Sequence, residues 1–304
     1  MGFFKPHVGH GCCNDEGEVT LESGLFSPLA LRGVTFRNRI GVSPMCQYSA
    51  EDGFANDWHL VHLGSRASGG AGLVVMEATA VAPEGRISPG CTGLWSDAHI
   101  APLKRIADFI KSQGAVPGIQ LAHAGRKASM ALPWRGGSRL LPGQGGWETL
   151  APSAIPFQVD HPAPKEMSAG DIEKLTTDFV AAAKRAAAAG FHVIELHAAH
   201  GYLLHEFLSP ISNKRGDSYG GSRQARARLV LDVAEKIRAV IPDASVFGAR
   251  LSCVDWAEGG ITLDDSVWLA GELKKRGVDF IDCSSGFVVG GEKIPFGPGY
   301  QDGF

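Results

Sequence analysis

From about residue 39 onward, short apolar runs alternate with longer stretches of helical period. The runs are Arg39 to Pro44, Leu73 to Val81, Val116 to Ala122, His192 to His197, Val246 to Cys253 and Phe280 to Ser284. The stretches between them predict helices over Asp57 to Ser68, Asp97 to Gln113, Ser168 to Ala189, Ser222 to Val240 and Asp264 to Arg276. Ser168 with Asp171 three residues later makes a capping-box start, and Gly190 supplies a residue tolerant of the left-handed turn where that helix should stop. Such alternation implies a parallel sheet, because parallel neighbours need a crossover and a helix is the usual one.

An open doubly wound sheet and a closed barrel both satisfy this order. Gln120, His197 and Arg250 are polar residues inside or closing apolar runs on three separate strands, which suits a barrel that gathers function at one rim. No Gly-x-Gly-x-x-Gly follows a first strand, so the dinucleotide-binding open sheet loses support. The expected fold is α/β, a TIM (β/α)8-type barrel. Six strand-helix units precede residue 286, and the Gly- and Pro-rich remainder from Phe287 to Phe304 has no room for two more. The expectation is therefore an incomplete barrel of about six units over residues 25–304, stopping before a seventh strand, with its first and sixth strands as unpaired edges. Residues 1–24, rich in Gly, His and acids, are expected to form a poorly ordered extension, and a long Pro/Gly-rich loop runs from about Ala124 to Met167.

Composition narrows the function. The chain has 304 residues, formal charge -3, 44% hydrophobic and 20% charged side chains, so it is a globular chain with no basic excess to hold nucleic acid. Its 40 glycines show neither a collagen period nor a linker tract, which assigns them to tight turns and close backbone approaches. Six irregularly spaced cysteines, two of them the adjacent Cys12 and Cys13, fit a reducing compartment. With no signal-peptide core, no myristoylation hydroxyl at position 6 and no apolar run long enough to span a bilayer, the expected location is the cytoplasm, without a membrane partner.

The sharpest local feature is His197-Ala198-Ala199-His200-Gly201-Tyr202 at the end of the fourth run. Two imidazoles and a phenol there offer two donors aimed at one oxygen and a weak acid nearby, while the bland alternative is side chains satisfying a turn. Zinc is disfavoured, because the pair lacks the helical i, i+4 spacing and no Cys pair lies close. Gly118, Gln120 and Ala122 share one strand face, as do Val246, Gly248, Arg250 and Ser252, which reads as space cleared for a flat polar ligand. Arg250 inside a barrel needs an anion; either a ligand supplies it or an internal ion pair does, for instance with Glu195. Cys46, after Ser43-Pro44-Met45, is either a reactive or tuning thiol or a small buried hydrophobe.

Ser43-Pro44-Met45-Cys46, Glu77-Ala78, Gly118 to Lys127, the His197 to Tyr202 run, His205 to Pro210 and Tyr219-Gly220-Gly221 together resemble the old yellow enzyme family of flavin-dependent ene-reductases. The likeness runs from about residue 25 to 301 and is nearest the bacterial-type subclass that includes the xenobiotic reductases. It implies a TIM barrel holding FMN at its rim, reduced by NADPH or NADH, that reduces activated C=C bonds of α,β-unsaturated carbonyl or nitro compounds. By the same resemblance, Ser43, Pro44, Met45, Cys46 and Ala78 contact the flavin, Cys46 tuning its potential. Gln120 meets the pyrimidine edge and Arg250 the N1/O2 region. His197 and His200 hold the substrate oxygen, Tyr48 helps to position the substrate, and Tyr202 supplies the α-proton. The family's phosphate grip follows its seventh and eighth strands, so no residue here inherits it. Its terminal segment, which reaches a neighbouring subunit in this subclass, is not matched either, and a homo-oligomer is compatible with the likeness. The alternatives are a truncated, non-catalytic barrel fragment that pairs with another chain, and a phosphate-binding barrel isomerase or aldolase, which the lack of a Schiff-base Lys at a strand end disfavours.

Overall fold

The computed structural model describes residues 24–304; the expected extension over residues 1–24, with Cys12 and Cys13, lies outside the described residues except for Gly24. The chain enters through an antiparallel hairpin of β1 (Leu29–Leu31) and β2 (Val34–Phe36), which the sequence pattern did not predict. The first parallel strand, β3 (Gly41–Val42), is much shorter than the Arg39 to Pro44 run, and residues 43–46 continue outside any ladder. Then follow α1 (Asp57–Ser68), β4 (Leu73–Ala80), α2 (Ile100–Ser112) and β5 (Val116–Ala122). The long loop holds 3-10 turns and a small parallel pair, β6 (Leu150–Ala151) and β7 (Lys165–Glu166). The remaining elements are α3 (Ala169–Ala188), β8 (Val193–Ala198), α4 (Leu203–Leu208), α5 (Arg223–Arg238), β9 (Val246–Ser252), α6 (Leu263–Lys275) and β10 (Phe280–Ser284). The Ser168–Asp171 capping box opens α3, and Gly190 follows it at φ +85°, as expected.

Six strands form one all-parallel sheet in the order β10-β9-β8-β5-β4-β3. The four central strands, β4, β5, β8 and β9, are buried on both faces, and the two faces differ. Ile119, Leu121, Ile194, Leu196, Phe247 and Ala249 belong to the main core shared with the helices. The alternate set Val116, Val193 and Val246 forms a second apolar cluster with Val34 and Phe36 of the hairpin and with Leu73 and Phe280. Five strands therefore direct side chains at one interior floor, which the hairpin plugs from below. Phe280 on the last strand and Gly41 and Leu73 near the first line the same cavity of about 280 Å³ with hairpin residues, so the sheet curves until its two ends approach. Among the described residues, no helix is long and apolar enough to cross a membrane.

Gly248 shows how tightly this floor is filled. A Cβ there would fall within the Phe280 ring. Gly248→Ala is expected to destabilise the chain by about 1–3 kcal/mol through overpacking. Combining it with Phe280→Leu should cost less than the two single changes added together. Denaturant unfolding of the four variants measures the coupling, and simple additivity would contradict this packing.

Candidate active site

The site is built where β8 stops. Strand alternation sends Val193, Glu195 and His197 toward the interior while Ile194 and Leu196 pack outward against the helices. His200 then takes a left-handed φ of +60°, costly for a residue with a Cβ, and Gly201 follows at +67°. A side chain at Gly201 would collide with the Phe287 carbonyl, so only glycine fits. Three side chains hold the backbone of this turn. Lys127 Nζ donates to the carbonyls of His200 (2.7 Å) and Phe287 (3.0 Å). Ser252 Oγ accepts from His200 N at 2.9 Å. His205 Nδ1 accepts from Gly201 N at 2.8 Å, which leaves its Nε2 proton to donate to Asp255 at 2.8 Å. The result sets the His197 and His200 rings perpendicular with centroids 5.2 Å apart, and the Tyr202 ring edge-on to His197 at 5.0 Å.

Protonation follows from these partners. His197 Nδ1 accepts from Ala199 N (3.3 Å), so its proton sits on Nε2, for which the described residues offer no acceptor. His200 Nε2 lies 2.6 Å from Ser284 Oγ, and that oxygen also accepts from Gln301 Nε2 at 3.2 Å. The Ser284 hydroxyl is thus free to donate to His200, whose own proton then occupies Nδ1. Burial first, and the Arg250 and Lys127 cations after it, push His200 down to about 3, and burial holds His197 well below the usual histidine range. Both rings are neutral N–H donors near neutral pH. Burial pushes the Tyr202 phenol up, keeping its proton in place, and pulls Lys127 down to about 8.

On the same interior face, Gln120 pairs in register with Glu195 one step below His197, while Arg250 stands level with His197 and pairs with Asp282. The Arg250–Glu195 ion pair weighed from the sequence is not formed. Arg250 Nε instead lies 3.3 Å from Asp282 Oδ2, and Glu195 Oε1 accepts from Gln120 Nε2 at 2.7 Å. The reason is strand phase: Asp282 occupies the interior position of β10 directly beside Arg250. The space attributed to Gly248 is also taken, by Phe280. Open donors remain: among the described residues the terminal guanidinium nitrogens of Arg250 make no hydrogen bond, its Nε being the atom turned to Asp282. A guanidinium with spare donors beside a carboxamide suits a flat heterocycle with an acceptor-rich edge, so these residues fit a flavin ring.

The segment after β3 supplies the third side. Ser43 and Met45 are exposed and Pro44 and Cys46 half-buried. Burial pushes the Cys46 thiol up, with Cys91 and Glu77 adding to it, so it is a neutral thiol rather than a nucleophile. Tyr48 has φ +52° and meets Trp134 edge-on at 6.5 Å. Buried Glu77 accepts from Gln47 N and thereby ties the segment to β4, where Ala78 stands opposite Gln120. After burial, Cys46 and Tyr48 are the groups that most raise Tyr202, so this segment lies close to the β8 turn. Lys127, Glu195, Ser252, Asp282 and Ser284 were not read as site residues from the sequence. Alternation within β9 and β10 was the available signal, since Arg250 and Ser252, then Asp282 and Ser284, repeat at the two-residue period.

Residues 24–296 match the NADH:flavin oxidoreductase / NADH oxidase family. The chain is 49% identical over 293 residues to the NADH:flavin oxidoreductase FG08077 of Gibberella zeae, covering 91% of this chain and 71% of that protein. It is 47% identical over 283 residues to an NADPH dehydrogenase of a Geobacillus species, covering 92% and 78% respectively. Among solved structures, morphinone reductase superposes with TM-score 0.75 at 29% identity over 92% of this chain and 76% of that one. It follows that this chain belongs to the NADH:flavin oxidoreductase / NADH oxidase family, the family of the old yellow enzymes.

Proposed function

We propose that this chain's paired imidazoles, guanidinium and phenol form the ene-reductase site of an FMN-dependent NAD(P)H oxidoreductase acting on α,β-unsaturated carbonyl or nitro compounds. The observation that carries the assignment is the neutral His197–His200 pair, perpendicular at 5.2 Å, beside Tyr202 and next to a guanidinium whose terminal nitrogens have no partner among the described residues. FMN, when bound, supplies hydride chemistry between the nicotinamide and the β-carbon of the substrate. Arg250 would hold the ring where negative charge gathers, Gln120 its pyrimidine edge, and Ser43, Pro44, Met45, Cys46 and Ala78 its remaining contacts.

His197 Nε2–H and His200 Nδ1–H would both donate to the substrate carbonyl or nitro oxygen, stabilising the charge that develops there as the β-carbon is reduced. Because the rings are fixed and already neutral, they reorganise little during that step. Tyr202 would hold the proton delivered to the α-carbon, since burial keeps its hydroxyl protonated. Tyr48 would position the substrate from the opposite wall. The described cysteines, Cys46, Cys91, Cys253 and Cys283, are all free, which supports a reducing cytoplasm.

The decisive experiment mixes purified chain with FMN, records the visible flavin bands of the protein fraction, and follows NADPH oxidation with and without an enone. Enone-dependent oxidation is expected, and a protein that retains flavin yet oxidises NADPH no faster with any enone, nitroolefin or maleimide would refute the assignment. His200→Ala should lower kcat/KM by roughly 10²-fold or more, as for loss of one oxyanion donor.

The lowered imidazole values also fix a pH dependence of stability. A histidine whose folded pKa lies below its unfolded value of about 6.5 contributes stability that is complete above that value and is lost as pH falls toward the folded one. For His200 the window runs from about 6.5 down to about 3. Unfolding midpoints of the parent chain should therefore fall more steeply over that acid range than those of His200→Asn, and parallel profiles would contradict a buried neutral ring.

A further inference from the structure

Glu195 has no part in the reaction described above, yet it is buried on the interior face of β8 at 2% exposure, directly below the imidazoles. Its one hydrogen bond is from Gln120 Nε2 at 2.7 Å, between residues paired in register on β5 and β8. The chemistry of the two groups makes that contact directional. An ionised carboxylate only accepts, so the carboxamide must turn its NH2 end toward Glu195 and its Oε1 the other way. A protonated carboxyl can also donate, and an amide turned over, with Oε1 toward Glu195, is then satisfied equally well.

We propose that Glu195 is a positioning residue: its carboxylate orients the Gln120 amide so that Oε1 is presented to the ring N–H of the flavin, and protonating Glu195 frees the amide and weakens flavin binding. The inference rests on the assignment of Gln120 to the flavin's pyrimidine edge.

The surroundings place this switch in a useful pH range. Asp282 faces Glu195 from β10, Arg250 from β9 and Gln120 from β5, while His197, next inward on β8, is neutral. Glu77 on β4 is turned to Gln47 N and His59 instead. Burial and the Asp282 charge raise Glu195 and outweigh the Gln120 bond and Arg250, bringing it to about 7. Asp282 is raised by burial as well, against the pull of Arg250, and its charge acts on Glu195, so protons leave the two carboxyls as a coupled pair.

The test uses the full chain with glutamine side chains labelled with ¹⁵N, Gln120 being assigned by its disappearance in Gln120→Leu. In the flavin-free protein the Gln120 NH2 resonances should shift with an inflection near neutrality, stay flat in Glu195→Gln, and show a lower inflection in Asp282→Asn. FMN dissociation constants from fluorescence titration should rise about five- to tenfold between alkaline and mildly acid pH in the parent, the size of one hydrogen bond. In Glu195→Gln that dependence should vanish. Gln120 resonances that stay flat in the parent, or an acid weakening that persists in Glu195→Gln, would overturn the role of Glu195. A protein that binds no FMN at any pH while Gln120 still titrates would overturn the flavin assignment and leave the carboxyl–amide coupling standing.

Discussion

Every strand of the parallel sheet has one face already committed. Helices cover the outer face, so Ile119, Leu121, Ile194, Leu196, Phe247 and Ala249 have to be apolar, and only the alternate positions are free to carry chemistry. Those positions are layered. Val116, Val193, Val246 and Phe280 close the floor with Val34 and Phe36 of the hairpin, which keeps water from reaching the polar layer from below. A polar group above such a floor is costly unless paired, and the pairings seen, Gln120 with Glu195 and Arg250 with Asp282, answer that requirement. What the pairs leave free, the terminal guanidinium nitrogens of Arg250, marks where a ligand would complete the layer.

The same desolvation sets the protonation of the donors. In water an imidazole is part charged near neutral pH and would meet a developing oxyanion in mixed states. Here burial and two cations, Arg250 and Lys127, force the neutral form of His200, and the partners of each ring decide which nitrogen keeps the proton. The cations thus act twice: they would add positive potential around the proposed substrate oxygen, and they help to keep His200 from carrying charge of its own. Asp282 offsets the guanidinium beside it, so that Arg250 is not an unpaired charge in the interior.

Much of this was legible in the chain. The apolar runs located five of the six parallel strands closely, and His197, Gln120 and Arg250 fall on one interior face as the two-residue period requires. The first strand read too long because Ser43 to Cys46 is extended without being paired, and extended backbone has the same local signature as a strand. The hairpin was hidden because its strands are only three residues each and their partner is the barrel floor, a contact distant in sequence. Asp282 was missed as the partner of Arg250 because choosing among acids requires strand register, and register is settled by packing. Lys127 was carried within a motif without a role, since its targets are backbone carbonyls that no side-chain pattern announces.

The left-handed turn at His200 joins these threads. A non-glycine residue at positive φ is strained by about 1–3 kcal/mol and persists only where its surroundings over-determine it. Here the restraints come from separate parts of the fold: Lys127 after β5, Ser252 at the end of β9, Ser284 at the end of β10, and the His205–Asp255 pair linking α4 to the segment after β9. Each arrives only if its strand is in register. A slip by one residue in β9 would exchange Arg250 and Ser252 for Ala249 and Leu251 on the interior face, removing the guanidinium and one brace together while exposing apolar side chains to the polar layer. The geometry of two small donors is therefore enforced by the whole sheet, which is why the groups proposed to be catalytic, so close in sequence, need a domain of this size to hold them.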